Sequence, residues 1–237
     1  MQHIIKALED QFYTPAFRIV GLILVLIVSL KHRKKFIPLK YFPFYATTLL
    51  LDDVFFYWYH IAEEANYHGD FFWGLSSYLD YLFTFVELIF FSHFYYHLSY
   101  TQIIKKLILV FNVFFGLFFV YMAIKDKYFY EGVSGVTQSI VYTVESIILL
   151  FLCSFYFIDL FKKLPVVNLK NEPGFWVSTG LMFFMACTLP YSLLQNKIMK
   201  NYPYSFFSTS YSIFDVFYVL LFLMIIRAYL CKPVKAI

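Results

Sequence analysis

The 237 residues are 61% hydrophobic, 24% aromatic and only 14% charged, with a mean hydropathy of +0.68. Soluble domains are roughly half apolar and about a quarter charged, so both balances are displaced toward lipid. The net charge of +4 is concentrated in short connections, which argues against a nucleic-acid surface.

A helix crossing the hydrocarbon core needs about 20 mostly apolar residues. Seven stretches qualify in chain order: 14–30, 41–62, 76–100, 107–124, 136–160, 175–194 and 204–230. They are too long and too evenly apolar for barrel strands, which alternate over roughly ten residues. The expectation is one all-α domain over residues 1–237, a polytopic bundle of seven transmembrane helices. The first run is no cleavable signal, because it lacks a small-residue cleavage site and its basic cluster follows the apolar part. Asn171 is placed to cap the sixth helix, with Pro173 in its first turn, where a missing N–H is harmless. Pro203 stands in the same way before the seventh, and Pro190 predicts a kink within the sixth.

Lysine and arginine give the direction. Lys31, Arg33, Lys34, Lys35 and Lys40 follow the first run, and Lys105 and Lys106 the third. Lys162, Lys163 and Lys170 follow the fifth, and Arg227, Lys232 and Lys235 end the seventh. The opposite side holds fewer: Lys6, Arg18, Lys125, Lys127, Lys197 and Lys200, offset by several acids. The positive-inside rule then puts the N-terminus outside and the C-terminus in the cytoplasm. With short connections and a short tail after Leu230, no kinase or cyclase module is expected.

Acids within the apolar runs are the strongest functional signal. Asp52 and Asp53 lie midway along the second run, Glu87 along the third, Glu145 along the fifth and Asp215 along the seventh, with Asp80 shallower. An ionised acid at the bilayer centre costs about 2.5–3.5 kcal/mol even on lenient scales, so these residues should face inward. Helical spacing aligns polar neighbours with them: Asp53, Tyr57 and His60; Asp80, Thr84 and Glu87; Gln138, Tyr142 and Glu145; Ser208, Tyr211, Ser212, Asp215 and Tyr218. With no lysine or arginine expected at that depth, most of these acids must be protonated or hold a cation. Asp52, Asp53, Asp80, Glu87, Tyr142, Glu145, Tyr211 and Asp215 are therefore the expected lining of a ligand- or proton-binding cavity. The bland alternative is that carboxyls and tyrosines merely hydrogen-bond helices together, at about 0.6 kcal/mol per contact.

Other features are weaker. His93 and His97 have the i, i+4 spacing of paired metal ligands, but no third ligand is evident at their level, so no metal is expected. Cys153, Cys187 and Cys231 lack C-x-x-C spacing and read as small packing residues. Trp58, Trp73 and Trp176 fall near run ends, as an interfacial belt requires. The 32 Phe and 22 Tyr also follow from AT-rich coding and carry no functional weight. Motifs for phosphate loops, zinc hydrolases, nucleophile elbows, c-type haem and a seventh-helix Schiff-base lysine are missing, so no cofactor and no catalytic residue is expected.

The segment Asn171-Glu172-Pro173-Gly174-Phe175-Trp176-Val177-Ser178-Thr179-Gly180 resembles the N-x-P-x-F-W-x-x-x-G opening of the sixth helix in an uncharacterised family of seven-span integral membrane proteins from Bacteroidota. Tyr81 to Tyr95, containing Phe85-Val86-Glu87-Leu88-Ile89-Phe90-Phe91, looks like that family's third helix, and Val144-Glu145-Ser146-Ile147-Ile148 is similar to its fifth. The resemblance lends no catalytic residues. It implies the bacterial cytoplasmic (inner) membrane and, from the family's frequent proximity to histidine kinases and response regulators, a sensory role through a separate signalling protein. Beside the bilayer and that partner, a small-molecule or ion ligand is expected. A proton- or cation-coupled transporter would use the same acids as a relay. An intramembrane enzyme acting on lipid would need them as general acid and base.

Overall fold

The computed structural model describes residues 2–32, 37–64, 70–99, 101–128, 134–162, 169–201 and 204–231, and most of the side chains among them. Each apolar run became one long helix: α1 (Gln2–His32), α2 (Phe42–Glu64), α3 (Asp70–Leu98), α4 (Gln102–Tyr128), α5 (Ser134–Phe161), α6 (Pro173–Asn201) and α7 (Tyr204–Leu230). Single 3₁₀ turns at Ile37–Leu39 and Leu169–Asn171 lead into α2 and α6, and no strand occurs among the described residues. By length and composition, Gln102–Lys125, Ser139–Phe161 and Pro173–Gln195 are long and apolar enough to cross a membrane.

Two boundaries differ from the expectation. α1 begins well before Thr14, because hydropathy marks only the stretch suited to lipid, whereas backbone hydrogen bonding continues through helix formers such as Ala7, Leu8, Glu9 and Gln11. The cap of α6 is Glu172, not Asn171. Asn171 is taken up by the preceding 3₁₀ turn, and the Glu172 carboxyl accepts the N–H of Gly174. Pro173 then occupies the first helical position, as expected. α6 runs on through Pro190, whose ring leaves the Ala186 carbonyl without its usual donor. Pro203 lies outside the described residues.

Neighbour contacts close a ring in the order α1, α2, α3, α5, α6, α7 and back to α1, with α4 packed on the outside of α3 and α5. The sequence of α4 explains its place. Its inward residues Ile104, Ile108, Phe111, Phe115, Phe118 and Met122 alternate steps of four and three, the narrow seam of a coiled coil. Phe115 and Phe119 pack on Phe85 of α3 at centroid distances of 6.4 and 5.1 Å. The rest of α4, including Ile103, Val113 and Leu117, is exposed apolar surface. Such a surface suits acyl chains and is unusual on a soluble monomer.

The core is the inside of the ring, filled by one stripe per helix: Leu22 and Val25 from α1, Tyr45 and Leu49 from α2, Leu88 and Phe91 from α3, Leu149 and Leu152 from α5, Leu181 and Phe184 from α6, Leu221 and Ile225 from α7. Gly180 permits a close approach of α6 to α7, since a Cβ there would stand 2.9 Å from the Cβ of Met224. At the lysine-rich end, the Tyr229 hydroxyl donates to the Leu39 carbonyl (2.7 Å), and Trp176 Nε1 donates to the Lys170 carbonyl (3.1 Å) beneath the Arg227 guanidinium. Gly180 and Trp176 of the 173–180 segment thus have packing roles, while Pro173 occupies the first turn.

Candidate functional site

The i, i+4, i+7 stripe Arg18, Leu22, Val25 of α1 points into the ring, and its first member is a cation. Arg18 pairs with Asp53 of α2 through Nη2 to Oδ1, and its Nε donates to Asp53 Oδ2 at 3.1 Å. Its other arm, Nη1, stands 3.5 Å from Asp215 Oδ1 on α7, and the guanidinium carbon lies 5.1 Å from the centre of the Tyr218 ring. Asp53 is 2% exposed, so its carboxylate is buried, while Arg18 remains partly exposed. A buried carboxylate is tolerable when a planar, delocalised guanidinium meets it bidentately.

Two expectations are corrected here. Arg18 does not belong with the outer-flank charges, and the acids are not without a cation at their own level. α1 starts so early that its midpoint falls at Phe17, next to Arg18, which places the guanidinium midway along the helix. The signal was present in the sequence, because Arg18 shares the face of Leu22, Val25 and Ser29, all buried.

Glu87 of α3 and Glu145 of α5 form the second half of the constellation. Both are buried, they lie close enough to repel one another, and Oε1 of each has no hydrogen-bond partner among the described residues. The Tyr45 phenol of α2 stands beside Glu87 without completing a well-formed hydrogen bond among the described residues. Arg18 and Asp52 also act on Glu87 electrostatically, which joins both halves into one network across α1, α2, α3, α5 and α7. Helix pitch explains the convergence: Tyr45, Leu49 and Asp53 share one face of α2, as do Thr84, Glu87, Leu88 and Phe91 on α3.

Of the expected lining residues, Asp53, Glu87, Glu145 and Asp215 are brought together and buried, while Asp52 and Tyr142 are half-buried at the margin. The side chains of Asp80 and Tyr211 lie outside the described residues, as do those of Tyr57, His60, Trp58, Trp73, Gln138, Ser208 and Ser212. Tyr45 was missed. It lies eight residues before Asp53 on the same stripe, and a search for acids alone passes over it.

His93 and His97 face each other edge-on with ring centroids 4.5 Å apart. Among the described residues, no group of three His, Cys, Asp or Glu side chains is arranged to hold a metal ion. Cys153 is more than the packing residue expected. Its thiol lies 3.1 Å from the Tyr95 hydroxyl, which donates to Ser178 Oγ at 3.0 Å, joining α3, α5 and α6. No protein-family model, curated protein or solved structure matches the chain.

Proposed function

We propose that the chain is a seven-span integral protein of the bacterial cytoplasmic membrane, N-terminus outside, and that it acts as a receptor or sensor. Its sensing element is the Glu87–Glu145 pair, and its signal passes to a separate protein such as a histidine kinase. The observation that carries this is a pair of buried carboxyls on two helices, close enough to act on one another, each with a buried oxygen that has no hydrogen-bond partner among the described residues. Buried polar atoms are nearly always paired, so two adjacent orphans mark a place where a proton or small cation completes the bonding.

The physics supplies a switch. With both carboxylates charged and unshielded, α3 and α5 repel at that level; with a proton or cation between them, the force becomes attractive. A ligand that binds one packing arrangement better than the other shifts the population between them. Arg18 gives that shift a route across the ring, because it acts on Glu87 while holding Asp53 of α2 and Asp215 of α7.

The deciding experiment compares wild-type protein with Glu87→Gln/Glu145→Gln in proteoliposomes. The sensor reading expects wild-type stability to change with pH or sodium concentration, the double variant to lose that response, and neither to pass ions. Proton or cation flux abolished by Glu87→Gln would replace it with coupled transport. Identical pH and sodium responses in both proteins would overturn both readings.

A further inference from the structure

An open strip lies on the outer face of α3, on the side away from the buried Glu87. α2 and α4 pack against α3 from two sides and leave a strip of it open between them. Along that strip Leu82 and Ile89 are exposed and Val86 half-buried, at the spacing of one helix face. The strip ends at the lysine-rich end in a chain of rings and cations. Lys40 Nζ lies 5.6 Å from the Tyr41 ring centre, Tyr41 meets His93 at 5.3 Å, and His93 meets His97 at 4.5 Å. Tyr96 adjoins His97 at 5.9 Å and carries Lys105 Nζ 5.3 Å from its centre.

We infer that this strip is a binding site for one anionic phospholipid of the leaflet at the lysine-rich end. Charge complementarity selects the head group. Two ammonium groups and two imidazoles, from α3, α4 and the turn before α2, surround the mouth, and none of these ring and cation contacts involves a carboxylate. The aromatic rings hold the lysine ammoniums in place, so less freedom is lost when a phosphate docks. Geometry selects the tail. From Leu82 to His93 the helix rises about 16 Å, close to the roughly 15 Å of hydrocarbon in one leaflet, so an acyl chain lying along Ile89, Val86 and Leu82 ends near the midplane. Basic sites between helices at the cytoplasmic surface meet the leaflet richest in anionic lipid. The inference rests on the membrane-spanning part of the proposed function and is independent of the Glu87–Glu145 pair.

The test uses the full chain in phosphatidylcholine nanodiscs containing spin-labelled phosphatidylglycerol or, in parallel, spin-labelled phosphatidylcholine. The expected result is a several-fold higher immobilised fraction for the phosphatidylglycerol label in wild type. That preference should fall to the phosphatidylcholine level in Lys40→Gln/Lys105→Gln and survive in Lys31→Gln/Lys162→Gln, which removes charge from the same end but not from the strip. A preference unchanged in the first variant, or lost equally in the second, would overturn the site. Excess glycerol phosphate should leave the signal intact, and full competition would show a free-phosphate site instead. Should Lys40→Gln/Lys105→Gln fail to fold, His93→Gln/His97→Gln decides: a reduced preference supports the site and an unchanged one overturns it. Immobilised phosphatidylcholine in every protein would keep the membrane-spanning reading intact whatever happens to the anionic preference.

Discussion

Glu87 and Glu145 lie eight residues before Tyr95 and Cys153 on α3 and α5, so two polar layers are stacked about 12 Å apart in one interior. The tyrosine layer is neutral and bonded: one hydroxyl joins a thiol and a serine across three helices. The acid layer holds ionisable groups with oxygens left over, beside a guanidinium that serves Asp53 and Asp215. The same helices therefore carry one level joined by a hydroxyl–thiol–serine chain and one where two carboxyl oxygens lack a hydrogen-bond partner among the described residues. A satisfied network rigidifies its surroundings, whereas a half-satisfied one is a liability that a purely structural core has no reason to keep.

The comparison can be broken by mutation, and the sharpest attack is on Arg18. Arg18→Met leaves Asp53 and Asp215 buried without their cation and should destabilise the purified protein by roughly 3–5 kcal/mol in detergent unfolding. Adding Asp53→Leu should recover a good part of that loss. A single variant as stable as wild type would show that the ion network does not hold α1, α2 and α7 together.

Gly180 tests the tyrosine side, two residues beyond Ser178 on α6. Gly180→Leu forces α6 and α7 apart at Met224 and should destabilise by about 1–3 kcal/mol, read in the same unfolding assay. Tyr95→Phe strips the partner from Ser178 and Cys153 and should lower stability by roughly 1–2 kcal/mol. Glu87→Gln keeps the shape and removes the charge, so the change should stay within about 1 kcal/mol and favour the folded state. If Glu87→Gln instead destabilised more than Tyr95→Phe, the acid layer would be the structural one and the contrast would be reversed.

The smallest effect is a pH dependence at the α6 cap, outside both layers. Burial holds the Glu172 carboxyl above its ordinary value of 4.5, partly offset by the hydrogen bond from the Gly174 N–H. A carboxyl raised in the folded state contributes stability below its unfolded value and loses it as the pH rises through the folded one. Unfolding midpoints should therefore decline slightly as the pH is raised from 4.5, and Glu172→Gln should flatten that slope. A slope unchanged in Glu172→Gln would assign the decline to other groups.

The helices were legible because lipid-compatible runs leave a strong one-dimensional signal, and the runs near Tyr41, Val136 and Tyr204 begin within two residues of the helices that form. The lengthened start of α1 was not, since hydropathy is silent about helix continuing into polar sequence. Inward-facing acids could be anticipated from the energy of a charge in hydrocarbon and from helical periodicity, which name the face but not the partner. Arg18 and Tyr45 stand on legible helical stripes, but their partners, like the Tyr95–Cys153–Ser178 network, depend on which helices become neighbours.

Composition and spacing by themselves determined that the described residues are all-helical and that Asp53, Glu87, Glu145 and Asp215 are buried, because hydrophobic burial and helix pitch act locally along the chain. Tertiary structure decided that Arg18 meets Asp53 and Asp215, that Glu87 faces Glu145, and that α4 stands outside the ring. Those outcomes turn on ion pairing and side-chain packing between residues as much as 197 positions apart, as Arg18 and Asp215 are, and no local pattern encodes such distances.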